Sequence, residues 1–216
     1  LLTQTEKCAS FCLNKIIVKL NKAMKTDKKK DEAVVQYEMW KTVSPGMYVY
    51  DDGFIYPEII EGRRIKAVVG FVNASKILAV CLREEYLPWS SDFLMVRKSL
   101  DENNGKEATR LILEASHRER KLAEAAEWCY EYDKDGVKQG EAFLPSMDEL
   151  RKLSADIDII NVSLEELGVF SLSGDYWSSS EHSNCDAWRL FPCSGGTCYL
   201  SKGSMGYVRP VLAITL

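Results

Sequence analysis

The chain has 216 residues, 46% hydrophobic and 28% charged, with a net charge of −4. That length can bury a full core without disulfide staples, and it fits one large domain or one domain with a small appendage. The composition is that of a globular protein; the charge excludes a broadly basic nucleic-acid-binding face, and no apolar run reaches the roughly 20 residues of a membrane span.

Near the start, Cys8, Cys12, Ile16, Leu20 and Met24 recur every four residues, with Leu13 and Ile17 beside them. This spacing predicts an amphipathic helix over residues 4–25. Its lysines are scattered and no small-residue cleavage site follows, so it is not expected to be a signal peptide. The charge run KTDKKKDE, residues 25–32, reads as a solvated connection. The expected division is a helical leader over 1–43, offering a route to oligomers, and a domain over 44–216.

After Pro45-Gly46 the pattern changes. MYVYDDGFIYPEI alternates around Asp52-Gly53, a hairpin signal. IKAVVGFVNASKILAVCL predicts two buried strands joined through Asn73-Ala74-Ser75. Asn104-Gly105 opens a helical region, with Leu111, Ile112 and Ala115 on one face and Leu122, Ala125, Ala126 and Cys129 on a face further on. DKDG, residues 133–136, ends it. Ser146 and Glu149 form a capping box after Pro145, and Ser163 and Glu166 repeat the device at the start of a shorter helix that stops at Gly168. From Gly174 onward helical spacing gives way to glycine, serine and short alternating segments. Strands, then helices, then strands again predict an α+β domain whose two ends pair in one sheet.

Several motifs occur in order over residues 44–213: GMYVYDDG, NNG, AAEWCYEY, LPSMDEL, YWSSSE, AW and YVRPV. Together they resemble the C-type-lectin-like domains of bacterial and phage surface proteins, and the tail resembles the variable proteins of diversity-generating retroelements. The resemblance implies a C-type-lectin-like fold, a ligand-binding surface near the C-terminus, and codons there drawn from the NNY set, which cannot encode Glu, Gln, Lys, Met or Trp. The chain's 22 Glu and Gln all lie at or before Glu181, and from His182 to Tyr207 only Trp188, Lys202 and Met205 fall outside that set.

The candidate surface sits between committed residues. In AWRLF, alternation puts Trp188 and Leu190 on one face and Arg189 and Phe191 on the other. With Trp188 and Leu190 expected in the core, Trp177 and Trp188 frame a surface free to vary. The expected ligand-binding residues are His182, Asn184, Asp186, Arg189, Phe191, Ser194, Thr197, Tyr199, Ser204 and Tyr207; Arg189, Phe191, Tyr199 and Tyr207 are of the types that make hot spots. Arg209, in VRPV, is expected to be a structural arginine paired with a carboxylate.

Other chemistry finds less support. The seven cysteines include no C-x-x-C pair and are too few for a disulfide scaffold. His182, Cys185, Cys193 and Cys198 are zinc-ligand types at loose spacing, and Cys193 and Cys198 flank SGGT, a turn that a disulfide can close. The expectation is that Cys185, Cys193 and Cys198 are dispensable. His117 and His182 are the only histidines, and neither completes a triad with a nucleophile. ENNG and DKDG lack EF-hand spacing, and the Glu-Pro-Asn and Trp-Asn-Asp sugar motifs of calcium-binding lectins are absent. The sequence thus points to a binding protein, not an enzyme, without cofactor or metal. Its expected partner is a protein or other macromolecule on a cell or host surface, its expected setting the cell surface, the exterior or a virion. The alternatives are a structural module of an appendage or phage tail and, further off, an enzyme of the formylglycine-generating type.

Overall fold

The computed structural model describes residues 42–96 and 103–215. The proposed helix over 4–25 lies outside them. The hairpin forms at the expected turn: Tyr48–Tyr50 (β1) pairs antiparallel with Ile55–Tyr56 (β2), and the Asp52 side chain accepts from the Phe54 N–H at 3.1 Å. The two apolar runs become Ile65–Val72 (β3) and Lys76–Cys81 (β4), also antiparallel. Asn73 closes the connection by accepting from the N–H groups of Ser75 and Lys76 at 2.9 and 2.8 Å.

Both ends of the domain meet. Val211–Thr215 (β11) lies antiparallel on β4, and Ala142–Phe143 (β6) follows it, giving a six-stranded sheet in the order β2-β1-β3-β4-β11-β6. A second sheet holds Glu85–Pro88 (β5), Tyr176–Glu181 (β7), Asp186–Phe191 (β8), Gly196–Ser201 (β9) and Met205–Val208 (β10) in the order β5-β10-β7-β8-β9. Here too an early strand, β5, pairs with a late one, β10. The architecture is α+β, as the order of elements predicts.

The helices lie between the early and late strands in sequence. Gly105–Glu119 (α1) starts at Asn104, whose side chain accepts from the Glu107 N–H, and stops at Arg120 in left-handed conformation. Glu124–Tyr130 (α2) follows. Leu122 precedes it and is exposed, so it does not share the apolar face that Ala125, Ala126 and Cys129 bury. Met147–Ser154 (α3) carries the expected capping box. The Glu149 carboxylate does more than cap: Oε2 accepts from the Ser146 and Gly105 N–H groups at 3.0 Å, and Oε1 pairs with Lys76 at 2.9 Å. A Cβ at Gly105 would meet Glu149 Oε2 at 2.4 Å and two backbone atoms at 2.7 Å, so only glycine fits where these elements converge.

The second capping box is not one. Ile157–Glu166 (α4) begins six residues before the expected Ser163 start, and Ser163 sits inside it. Its hydroxyl donates to Gly46 O at 2.7 Å and Ile159 O at 3.3 Å. The apolar residues Ile157 and Ile160 extended the helix backwards past the motif, and the serine bonds back into the helix and across to the β1 approach.

Two apolar clusters fill the domain. One packs β1, β3, β4 and β11 with α3 and α4, and takes in Tyr176 and Leu190 from the second sheet. The other packs α1 and α2 with Trp89, Trp177, Ala187 and Val208. The second sheet is thus covered on both faces at β7, while β9 stands beyond the cover as an edge.

Candidate functional site

The candidate surface is built on the hairpin β8–β9 and the loops at its two ends. Trp188 lies opposite Tyr199 in the ladder. Their rings meet edge to face, 5.5 Å between centroids, and the His182 ring stacks parallel on Tyr199 at 3.7 Å and edge-on to Trp188 at 4.8 Å. This three-ring cluster is the centre of the exposed face, with Tyr199 51% accessible. Phe191, 40% accessible, stands at the far end of β8, beside the turn that carries Ser194.

The loop from His182 to Asp186 is tightly bonded. The N–H groups of His182 and Ser183 donate to Asp186 O at 3.0 and 3.1 Å, and the Ser183 hydroxyl donates to Asp186 Oδ2 at 2.8 Å. The same hydroxyl oxygen accepts from the N–H groups of Cys185 and Asp186. Asp186 therefore spends its carboxylate within the loop, while Asn184 offers its exposed side chain and uses its carbonyl to accept from Lys202 at 3.1 Å.

Lys202 anchors this end of the hairpin. It is 0% accessible; its ammonium pairs with Glu181, donates to Leu94 O at 2.8 Å and lies 4.7 Å from the centre of the Trp89 ring. All three protons thus have acceptors, on two segments distant in sequence, which offsets the cost of burying the charge. Burial pushes the Glu181 carboxyl up, with the Lys202 partner pulling it back down.

Arg189 requires a correction. It does not belong to the exposed face: it is 2% accessible, ion-paired with Asp175, and donates to Ser204 O at 3.1 Å. Its guanidinium lies 3.6 Å over the Trp177 ring, close enough to Gly206 that a Cβ there would meet it at 2.7 Å. Strand alternation assigns its face correctly, but that face is covered by the α1–α2 cluster. Phe191 shares the face and escapes only because it lies at the strand's end. Trp188, expected in the core, is half-buried and shows part of its ring to solvent.

The remaining expected residues divide. Thr197 and Ser194 are exposed, whereas Ser204 is half-buried and gives its carbonyl to Arg189. Tyr207 is not near the ring cluster. It lies on β10, three strand spacings or roughly 14 Å from β9 across the sheet. There it packs between Tyr86 and Tyr176 at 4.9 and 5.6 Å. The frame residue Trp177 is wholly buried, its indole N–H donating to Leu87 O at 3.1 Å. Arg209 is buried, with Nη1 paired to Glu84 at 2.9 Å and Nε donating to Cys81 O at 2.6 Å.

Sequence reasoning missed Lys202 as an anchor and Phe93 and Leu200 as exposed apolar residues. Lys202 carried a signal: it is one of three residues in the stretch that NNY codons cannot encode. Phe93 carried none, because its place over Gly203, 3.3 Å from a built Cβ, depends on a contact across more than a hundred residues. Cys185, Cys193 and Cys198 are free, and among the described residues no group of three or more His, Cys, Asp or Glu is placed to hold a metal ion. Cys193 Sγ donates to Leu172 O at 3.3 Å. What the hairpin offers is stacking area, apolar contact and backbone hydrogen bonds. A separate cleft of about 630 Å³ lies along α1, lined by Arg110, Leu113, His117, Tyr130 and Phe143; no hairpin residue reaches it.

No protein-family model matches the sequence, and no curated protein is significantly similar to it. In structure the chain is similar to a fimbrial protein from Bacteroides ovatus ATCC 8483, with a TM-score of 0.64 and 14% identical residues. The match covers 80% of this chain and 49% of that one, so the chain spans about half the length of its structural neighbour. At that identity the likeness is one of fold: the two-sheet α+β architecture that carries the hairpin is shared with a solved fimbrial protein.

Proposed function

We propose that the chain is a ligand-binding module of a surface appendage, built on a C-type-lectin-like scaffold, with the exposed side chains of the β8–β9 hairpin and its loops as a diversified binding surface. The observation that carries this reading is how the hairpin divides its residues. Of the three positions between His182 and Tyr207 outside the NNY set, Lys202 is wholly buried and Trp188 packs partly on the core; only Met205 is exposed. The side chains open to solvent at 182, 184, 191, 194, 197 and 199 all belong to the set. Anchors that cannot vary thus hold a surface that can. The fimbrial neighbour supports the appendage setting.

The gene tests this directly. Codons for those six exposed positions are expected to end in C or T, with a near-identical template repeat and a reverse transcriptase gene nearby. Codons ending in A or G, without a repeat, would remove diversification. The second reading, a structural appendage module without a varied surface, rests on the fimbrial likeness alone, and binding lost on replacing His182, Phe191 and Tyr199 together would exclude it.

A further inference from the structure

The two edges of the five-stranded sheet are built differently. At one edge β5 reads Glu85-Tyr86-Leu87-Pro88, with a charge and a proline, two devices that block strand addition. At the other, β9 reads Gly196-Thr197-Cys198-Tyr199-Leu200-Ser201, with neither. Its pairing with β8 runs in unbroken register from Asp186–Ser201 to Phe191–Gly196, so no bulge turns the edge away. In the six-stranded sheet the edge strands β2 and β6 have two residues each. Among the described residues β9 is the long unguarded edge.

One hydrogen bond sets the direction of its peptide groups. The Lys202 N–H donates to Cys185 O at 2.8 Å. In an antiparallel pair, bonded and non-bonded residues alternate, so Leu200 and Cys198 aim their backbone groups at β8. Thr197, Tyr199 and Ser201 therefore aim theirs outward, at repeats of roughly 7 Å. The Ser204 N–H takes Ser201 O at 2.8 Å. Among the described residues, the N–H groups of Thr197, Tyr199 and Ser201 and the carbonyls of Thr197 and Tyr199 have no backbone partner.

We infer that the surface recognises an extended polypeptide segment, which joins β9 as a sixth strand. The inference rests on the reading of the hairpin as a binding surface and names its ligand class. A polypeptide in β conformation presents alternating donors and acceptors at this spacing; a nucleic-acid backbone presents acceptors without the matching donors. No charge lies in β9 to demand a charged ligand. A second copy of this chain is the other strand donor, but two six-residue strands bury far less than the roughly 1,200 Å² of a stable interface. Main-chain recognition also suits a surface that changes. Bonds to the peptide groups at 197, 199 and 201 survive every side-chain replacement except proline, while Tyr199 on one face and Leu200 on the other select the sequence bound.

Linear heptapeptides selected from a random-sequence library against the full chain are the probe. Binding is expected to slow amide hydrogen exchange at Thr197, Tyr199 and Ser201. Thr197→Pro, which deletes an outward N–H and no bond to β8, is expected to bind the peptide about tenfold more weakly than Thr197→Ala. If the proline variant does not fold, the exchange pattern of the unmodified chain decides. Selected peptides that leave the three amides unprotected, or equal affinities for the proline and alanine variants, overturn the inference. So does a selection that yields no binder. In that case a folded protein or glycan bound through His182, Phe191 and Tyr199 would keep the binding surface and discard the peptide class; a partner bound elsewhere would discard both. Dimerisation lost on Thr197→Pro would assign the edge to a second copy instead.

Discussion

The six-stranded sheet and the β8–β9 hairpin are held by different physics. Val68, Leu78, Val80 and Val211 are buried and packed among apolar neighbours, and the strands that carry them read as near-continuous hydrophobic runs. β9 contributes no buried residue. The hairpin is fixed instead by Lys202 at one end, Arg189 beneath it and the bonded loop from His182 to Asp186. A region whose outer side chains are not required for packing needs anchors of another kind, and paired, desolvated cations supply them. The lesson is that a sheet can keep its backbone in place while leaving one strand's side chains uncommitted.

The sharpest way to break the comparison is to remove an anchor. Lys202→Ala leaves Glu181 half-enclosed without its partner and two segments untied, and is expected to cost about 3–5 kcal/mol. The loss should be local: amides of β8 and β9 should exchange faster while those of β3 and β4 keep their protection. Uniform loss across both sheets would show that the hairpin is not a separate unit of stability. Leu78→Ala, a cavity in the six-stranded sheet, should cost about 2–4 kcal/mol in chemical denaturation, with both sheets opening together.

A smaller effect comes from pH. Burial raises the Glu181 carboxyl on folding. A group raised in this way contributes stability below its unfolded value, and that contribution is lost as pH rises through its folded value. The difference in stability between the unmodified chain and Glu181→Gln should therefore fall as pH climbs from the ordinary glutamate range to neutrality. A difference that grows over that window contradicts the burial argument. The smallest effect is expected at the surface. Single replacements of Asn184, Ser194 or Thr197 by alanine should shift stability by no more than about 0.5 kcal/mol. Serine at Cys185, Cys193 and Cys198 together should leave the melting temperature nearly unchanged, and a large drop would place a structural role at one of these thiols.

Much of the fold was legible because it is written in local signals. Asp52-Gly53 marked the first hairpin, two apolar runs marked β3 and β4, and Ser146 with Glu149 marked α3. Ser163 misled because a capping box is only a local preference, and Ile157 and Ile160 gained more by burial in a longer helix. The candidate site was legible in part. Alternation gave the faces of β8, but not that both faces are covered there, so Arg189 was read as exposed. It gave no sign that Tyr207 lies two strands away from β8, because strand order is not local.

By itself, the sequence determined the order of elements, the turns, the caps and the confinement of Glu and Gln to the region before His182. The order of elements, turns and caps follow from dihedral preference and hydrophobic period, which act over a few residues, and the last is composition alone. Only the tertiary structure decided which strand became an edge, which cations were buried, and which rings met. Among the described residues β9 is an uncovered edge because β8 is the last strand that the helices cover; Lys202 is buried because Leu94 and the stretch from Glu181 to Asn184 converge on it. Burial and pairing depend on what the rest of the chain brings alongside, and no short-range signal carries that.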